Sequence, residues 1–160
     1  MNILFFLTPK SEVAYLYDTD SLRQALEKME NHRYSAIPII GKEDGKYIGT
    51  VTEGDLLWAL KDKEDLSIRR AEDIGIMDIQ RNRDNEPVDV DVNMEDLINK
   101  AMNQNFVPVI DDDQRFIGLI KRKDIIQYLS TKLTASQSLV ASQSMTTRKP
   151  VRIGKWVENV

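Results

Sequence analysis

Gly49-Thr50-Val51-Thr52-Glu53-Gly54-Asp55 and, sixty-nine positions later, Gly118-Leu119-Ile120-Lys121-Arg122-Lys123-Asp124 are two versions of one phrase. Upstream of each lies a short apolar run interrupted by proline, Ala36-Ile37-Pro38-Ile39-Ile40 and Phe106-Val107-Pro108-Val109-Ile110. A polar turn and an aromatic-Ile-Gly follow in both, Tyr47-Ile48-Gly49 and Phe116-Ile117-Gly118. Such a repeat means that one supersecondary unit is used twice and that the copies bury their apolar faces on each other.

Working outward, the order is strand, helix, strand, strand, helix. Residues 13–17 form an apolar and aromatic strand, and Asp18-Thr19-Asp20-Ser21 starts a helix. Leu22, Ala25, Leu26 and Met29 recur at the spacing of one buried helical stripe. Residues 36–40 and 46–52 make a hairpin about the turn at 41–45, and a helix over 53–60 closes the unit. In the second copy Val88, Val90 and Val92 alternate with Asp89 and Asp91, and Asn93 caps a helix whose stripe is Met94, Leu97, Ile98, Ala101 and Met102. Strands at 106–110 and 115–120 and a helix over 124–129 complete it. The expected organisation is a first repeat over 8–60, a charged connection over 61–86 with a short helix around 70–74, a second repeat over 87–130, and a weakly ordered, low-complexity tail over 131–160 that carries Ser-Gln-Ser twice.

At 160 residues, 41% hydrophobic and 30% charged, the chain suits one compact domain or two closely joined halves. The apolar run at 3–7 is too short to span a bilayer, and no secretory pattern surrounds it, so a cytoplasmic protein without membrane association is expected. With no cysteine and a single histidine, His32, disulfides, thiolate chemistry and a zinc site of the usual kind are excluded. Asp111, Asp112 and Asp113 solvate a hairpin turn rather than form a metal site. A net charge of −4 argues against nucleic acid as a partner while leaving room for a local basic patch. There is no Ser-His-Asp set and no Gly-x-x-x-x-Gly-Lys loop, so the chain is expected not to be an enzyme.

Two such units, each with a proline-bearing strand and a Gly-x-x-x-x-x-Asp junction, resemble a tandem pair of CBS domains, a Bateman module, over residues 8–129. The resemblance implies an α+β fold in which two small, mainly three-stranded sheets, each with two helices, pack with pseudo-twofold symmetry. It implies a non-catalytic regulatory sensor that binds an adenosine-containing nucleotide (AMP, ADP or ATP) between the repeats, forms a homodimer and signals to a regulated partner protein. Tyr34-Ser35-Ala36-Ile37-Pro38, Val13-Ala14 and Arg122-Lys123 are similar to stand-alone bacterial CBS proteins that bind cyclic di-AMP, although Glu12 puts an acid where a base would help. A ligand-free dimerisation or interaction module is the third reading.

An adenine nucleotide needs an apolar slot for the base, an acceptor for the ribose and positive charge for phosphate. Val13, Ala14 and Tyr15, with the backbone of Tyr34, Ser35, Ala36 and Ile37 ahead of Pro38, are expected to line the slot. Asp55 would serve the ribose and Thr52 the ribose or the phosphate, or the two would form a capping box with no ligand. At the second corner Lys121 replaces Thr52, and Arg122 and Lys123 precede Asp124. These cations would face phosphate, in their own cleft or across the pseudo-twofold axis, against the alternative of a solvated helix start. Trp58 with Leu60 and Tyr128 with Leu129 mark the expected dimer face.

Overall fold

Pro38 and Pro108 stand inside the two strands that organise the molecule, and the pairing around them accommodates the missing N–H groups. The computed structural model describes residues 2–62 and 70–146. In the order of the chain the strands are β1 (Leu7–Pro9), β2 (Leu16–Tyr17), β3 (Ala36–Ile40), β4 (Tyr47–Thr52), β5 (Val88–Asp89), β6 (Phe106–Ile110) and β7 (Phe116–Lys121). Pro38 lies opposite Thr50 of β4, whose own N–H points away to Asp84, so this is a pair without mutual hydrogen bonds. Parallel β2 pairs with β3 only from Ile39 onward, and parallel β5 pairs with β6 only from Val109, one residue past each proline.

One sheet has the order β2-β3-β4 and the other β1-β7-β6-β5. The fold is the expected α+β arrangement, with β1 as an addition. This strand precedes the first repeat in the chain but pairs antiparallel with β7 of the second, Leu7 on Ile120 and Pro9 on Gly118. Equivalent turns meet between the sheets: Lys46 and Arg115 form a bridge, Tyr47 N–H donates to Gln114 O at 3.3 Å, and Phe116 N–H donates to Gly45 O at 2.9 Å.

The described residues form four α-helices. In α1 (Leu22–His32) the Ser21 hydroxyl accepts from Gln24 N–H at 3.2 Å and Gln24 Oε1 accepts from Ser21 N–H at 2.8 Å, a reciprocal cap. Its Leu22, Ala25 and Met29 join Leu16, Ile37, Ile39, Val51 and, from α2 (Glu53–Asp62), Leu56 in the first core. The connection contributes Ala71, Ile76 and Ile79 to that core, so it is built into the fold. Of the short helix expected around 70–74, Arg70 has 3-10 geometry and residues 71–74 form a turn and bend, with Asp73 N–H on Arg70 O at 3.0 Å. In α3 (Met94–Asn103) Asn93 caps Asp96, and Leu97 and Ala101 are buried. Met102 departs from the expected stripe: it sits on the last turn and is 71% exposed.

Three further expectations are corrected. The strand at 13–17 is only β2, because Lys10–Glu12 form a 3-10 turn closed by Val13 N–H on Lys10 O. The strand at 88–92 is only β5, because Val92 N–H turns back to Asp89 O at 3.2 Å. The last helix, α4 (Arg122–Thr146), runs well past 129. Its Thr131, Thr134, Ser136 and Ser138 hydroxyls each donate to the carbonyl four residues earlier, at 2.7 to 3.0 Å. These bonds satisfy the hydroxyls within the helix itself. The chain divides into two compact units, Met1–Ile125 and Ile126–Val160, and the second is described as the remainder of α4. The expected tail from 147 onward lies outside the described residues.

Candidate functional site

Because β1 belongs to the second sheet, the turn that follows it carries residues 10–14 past the corner between β7 and α4. The result is a cavity of about 270 Å³ that takes residues from both repeats. One wall is apolar and small: Val13, Ala14, Ala36 and Pro38. Phe106 and Leu119 border it from the second repeat and belong to a cluster with Ile40 and Phe116, against which Val13, Tyr15 and Ala36 pack. The rim is cationic, with Arg33, Lys121 and Lys123 against one carboxylate, Glu12. Among the described residues none of these three cations forms an ion pair or a side-chain hydrogen bond.

Arg33 was not singled out from the sequence. It ends α1 in the left-handed conformation, φ 55° and ψ 35°, a position that glycine normally fills. The backbone turn aims residues 33–36 across the cleft, and His32 and Tyr34 stack at 5.3 Å beside it. Its only sequence signal is a long cation where a helix-ending glycine is usual. On the opposite side, Lys28 Nζ donates to Tyr15 O at 2.9 Å and to Asp20 at 3.1 Å, which ties the strand after Ala14 to α1.

The sequence-predicted residues separate into two groups. Val13, Ala14, Tyr34, Ser35, Ala36, Pro38, Lys121 and Lys123 line this cleft together. Tyr15 turns aside, edge-on to Tyr17 at 5.4 Å, and Ile37 is buried in the first core. Arg122 also turns away: its Nε donates to Gln104 O at 2.8 Å. Asp124 sits in the first turn of α4, partly buried, outside the cleft lining.

Thr52 and Asp55 border a different cavity, of about 460 Å³, with Asp62, Asp78, Gln80 and Asn82. The expectation that they share one slot with Val13 and Ala14 fails because each corner faces the segment preceding the other repeat. Asp55 is 3% exposed and fully engaged: Oδ2 accepts from Thr52 N–H at 2.9 Å and Oδ1 from Asn82 N–H at 3.0 Å. Thr52 Oγ1 accepts from Asp55 N–H at 3.1 Å, so the capping arrangement is present without a ligand. The neighbouring Asp84 receives Arg81 Nε at 2.9 Å and Thr50 N–H at 2.8 Å. Burial alone would raise its carboxyl, but these partners outweigh burial and hold it below the usual range. Burial pushes the Tyr47 hydroxyl, which donates to Asn85 O at 2.7 Å, far up.

The duplicated corners, the strand prolines and the cleft between repeats find their counterpart in known proteins. A model of the CBS domain matches the chain twice, over residues 7–62 and 76–131. The chain belongs to the CBS domain family. As a CBS pair it is a regulatory module. Among solved structures, a CBS domain protein from Streptococcus pneumoniae is 27% identical, with a TM-score of 0.71 over 81% of this chain and 86% of that one. CbpB in complex with c-di-AMP is 25% identical, with a TM-score of 0.73 over 86% of this chain and 90% of that one. Protein MJ1225 of Methanocaldococcus jannaschii is 21% identical over 143 residues, or 82% of this chain. The chain spans 50% of the length of that relative.

Proposed function

We propose that this CBS pair is a non-catalytic sensor that binds an adenine nucleotide in the Ala14–Ala36 cleft and conveys its occupancy to a partner protein. The observation that carries the reading is the meeting of a small apolar slot with three unpaired cations, Arg33, Lys121 and Lys123. The slot suits a flat base, and the cations suit phosphate. A volume of about 270 Å³ lies just below the usual range of small-molecule sites and is the scale of one nucleotide rather than two. Exposed Leu57 and Trp58 of α2 support a homodimer as the assembly through which occupancy is communicated.

Cyclic di-AMP is the second reading, favoured by the similarity to CbpB and by the corner aspartates, since Asp55 borders the other cavity and Asp124 lies outside the cleft lining. Neither aspartate is then offered to a vicinal diol in this cleft, and a cyclic dinucleotide has none. One adenine would enter the slot and the second would extend past the rim. Calorimetric titration with adenosine, AMP, ATP, GTP and cyclic di-AMP tests both readings. Binding of at least one adenine nucleotide in preference to GTP supports the sensor, and the tighter of AMP and cyclic di-AMP decides between them. Indifference to the whole series would contradict both and favour a ligand-free interaction module.

A further inference from the structure

Ala14 and Glu86 hold the same place in the two repeats. Each precedes by two residues the start of the short parallel strand, Leu16 paired with Ile39 and Val88 with Val109, one residue beyond the strand proline. Tyr34 and Gln104 correspond likewise, four residues before Pro38 and Pro108. Among the described residues the backbone N–H and C=O of Ala14 carry no hydrogen bond, and Ala14 borders the cleft. At Glu86 both groups are taken by one side chain. Glu86 N–H donates to Gln104 Oε1 at 2.8 Å, and Gln104 Nε2 donates to Glu86 O at 3.1 Å. Gln104 is 4% exposed, one of the few buried polar residues. Asn85, the counterpart of Val13, donates from Nδ2 to Phe106 O at 3.0 Å.

A carboxamide presents an N–H donor beside an oxygen acceptor, and the adenine edge presents an amino donor beside a ring-nitrogen acceptor, which is why each pairs bidentately with the other. A carboxamide is also complementary to a second carboxamide. Whatever receives an amide in this fashion can therefore receive adenine. We infer that Gln104 is an internal occupant of the second base slot, standing where adenine would stand, so that the chain takes one adenine, at Ala14, and the two clefts are not equivalent. The inference rests on the nucleotide reading of the first cleft. The second cavity agrees with it: it reaches neither Glu86 nor Gln104, and it offers Asp55, Asp62 and Asp78 with no lysine or arginine. Phosphate would find repulsion there.

The test is a titration of the full chain, labelled with nitrogen-15, with AMP, following the Ala14 and Glu86 amide signals together with the calorimetric stoichiometry. One AMP per chain, a shifting Ala14 amide and a stationary Glu86 amide are expected. Two AMP per chain with both amides shifting would overturn the inference and leave the nucleotide reading standing. No heat and no shift with either AMP or cyclic di-AMP at millimolar concentration would overturn both. A second arm transplants the device: Tyr34→Gln, at a partly exposed site, places a carboxamide opposite Ala14 and should weaken AMP by about 10-fold through competition for that backbone pair. Unchanged AMP affinity in a folded Tyr34→Gln protein would contradict the mimicry.

Discussion

The Asn82 amide donates to Asp55 Oδ1 at 3.0 Å, joining residues 27 positions apart. Asp55 thereby fastens the connection between repeats to the start of α2 while its other oxygen closes the Thr52 cap. Asp55→Ala leaves two amides without their charged acceptor, one of them inside the fold. The expected loss of stability is about 2–3 kcal/mol, read by urea denaturation. AMP affinity of the folded protein should change less than about twofold by the independence of distant sites. A large affinity loss with intact stability would return Asp55 to the binding site.

Arg33 allows structure and function to be separated at one residue. Its left-handed backbone favours glycine, so Arg33→Gly should stabilise the protein by about 0.5–1 kcal/mol. The same change removes a cation from the cleft rim and should weaken AMP by about 10-fold. Thermal denaturation and calorimetry on the same sample are expected to move in opposite directions. Loss of stability would show that Arg33 has a structural role beyond its backbone.

Asp84 sets an acid limb of stability. Its carboxyl is held below the usual range by Arg81 and the Thr50 amide, despite burial. The unfolded chain therefore takes up the proton first. The stabilisation is complete above the unfolded value of about 3.9 and is lost as pH falls through the lower folded value. Wild-type melting temperature should fall more steeply than that of Asp84→Asn between about pH 5 and pH 2.5. Parallel curves would mean that the Arg81 pair contributes nothing.

The hairpins, the prolines and the capped helices were legible because their signals are local: period, turn chemistry and caps lie within a few residues of what they determine. The partnership of the cleft residues was not. Leu7–Pro9 pairs with a strand more than a hundred positions away, and only that pairing brings Ala14 to Lys121 and Lys123 while turning Thr52 and Asp55 to another cavity. Non-local pairing leaves no trace in periodicity. Lys121 and Lys123 were legible as departures from the first copy, but Arg122 between them was not separable from its neighbours until its bond to Gln104 O was seen. Gln104 itself had a signal, an amide in the place of Tyr34 when the two repeats are aligned on their prolines.

The central claim is that Arg33, Lys121 and Lys123 bind the phosphate of a nucleotide whose base lies against Ala14 and Ala36. Calorimetric titration of AMP and adenosine into the wild type and the triple variant Arg33→Gln, Lys121→Gln, Lys123→Gln tests it most directly. The account predicts that the variant loses about 100-fold or more in AMP affinity, keeps its affinity for adenosine within about threefold, and no longer shows the salt dependence of AMP binding. Equal loss of AMP and adenosine, or unchanged AMP affinity in the folded variant, would contradict it.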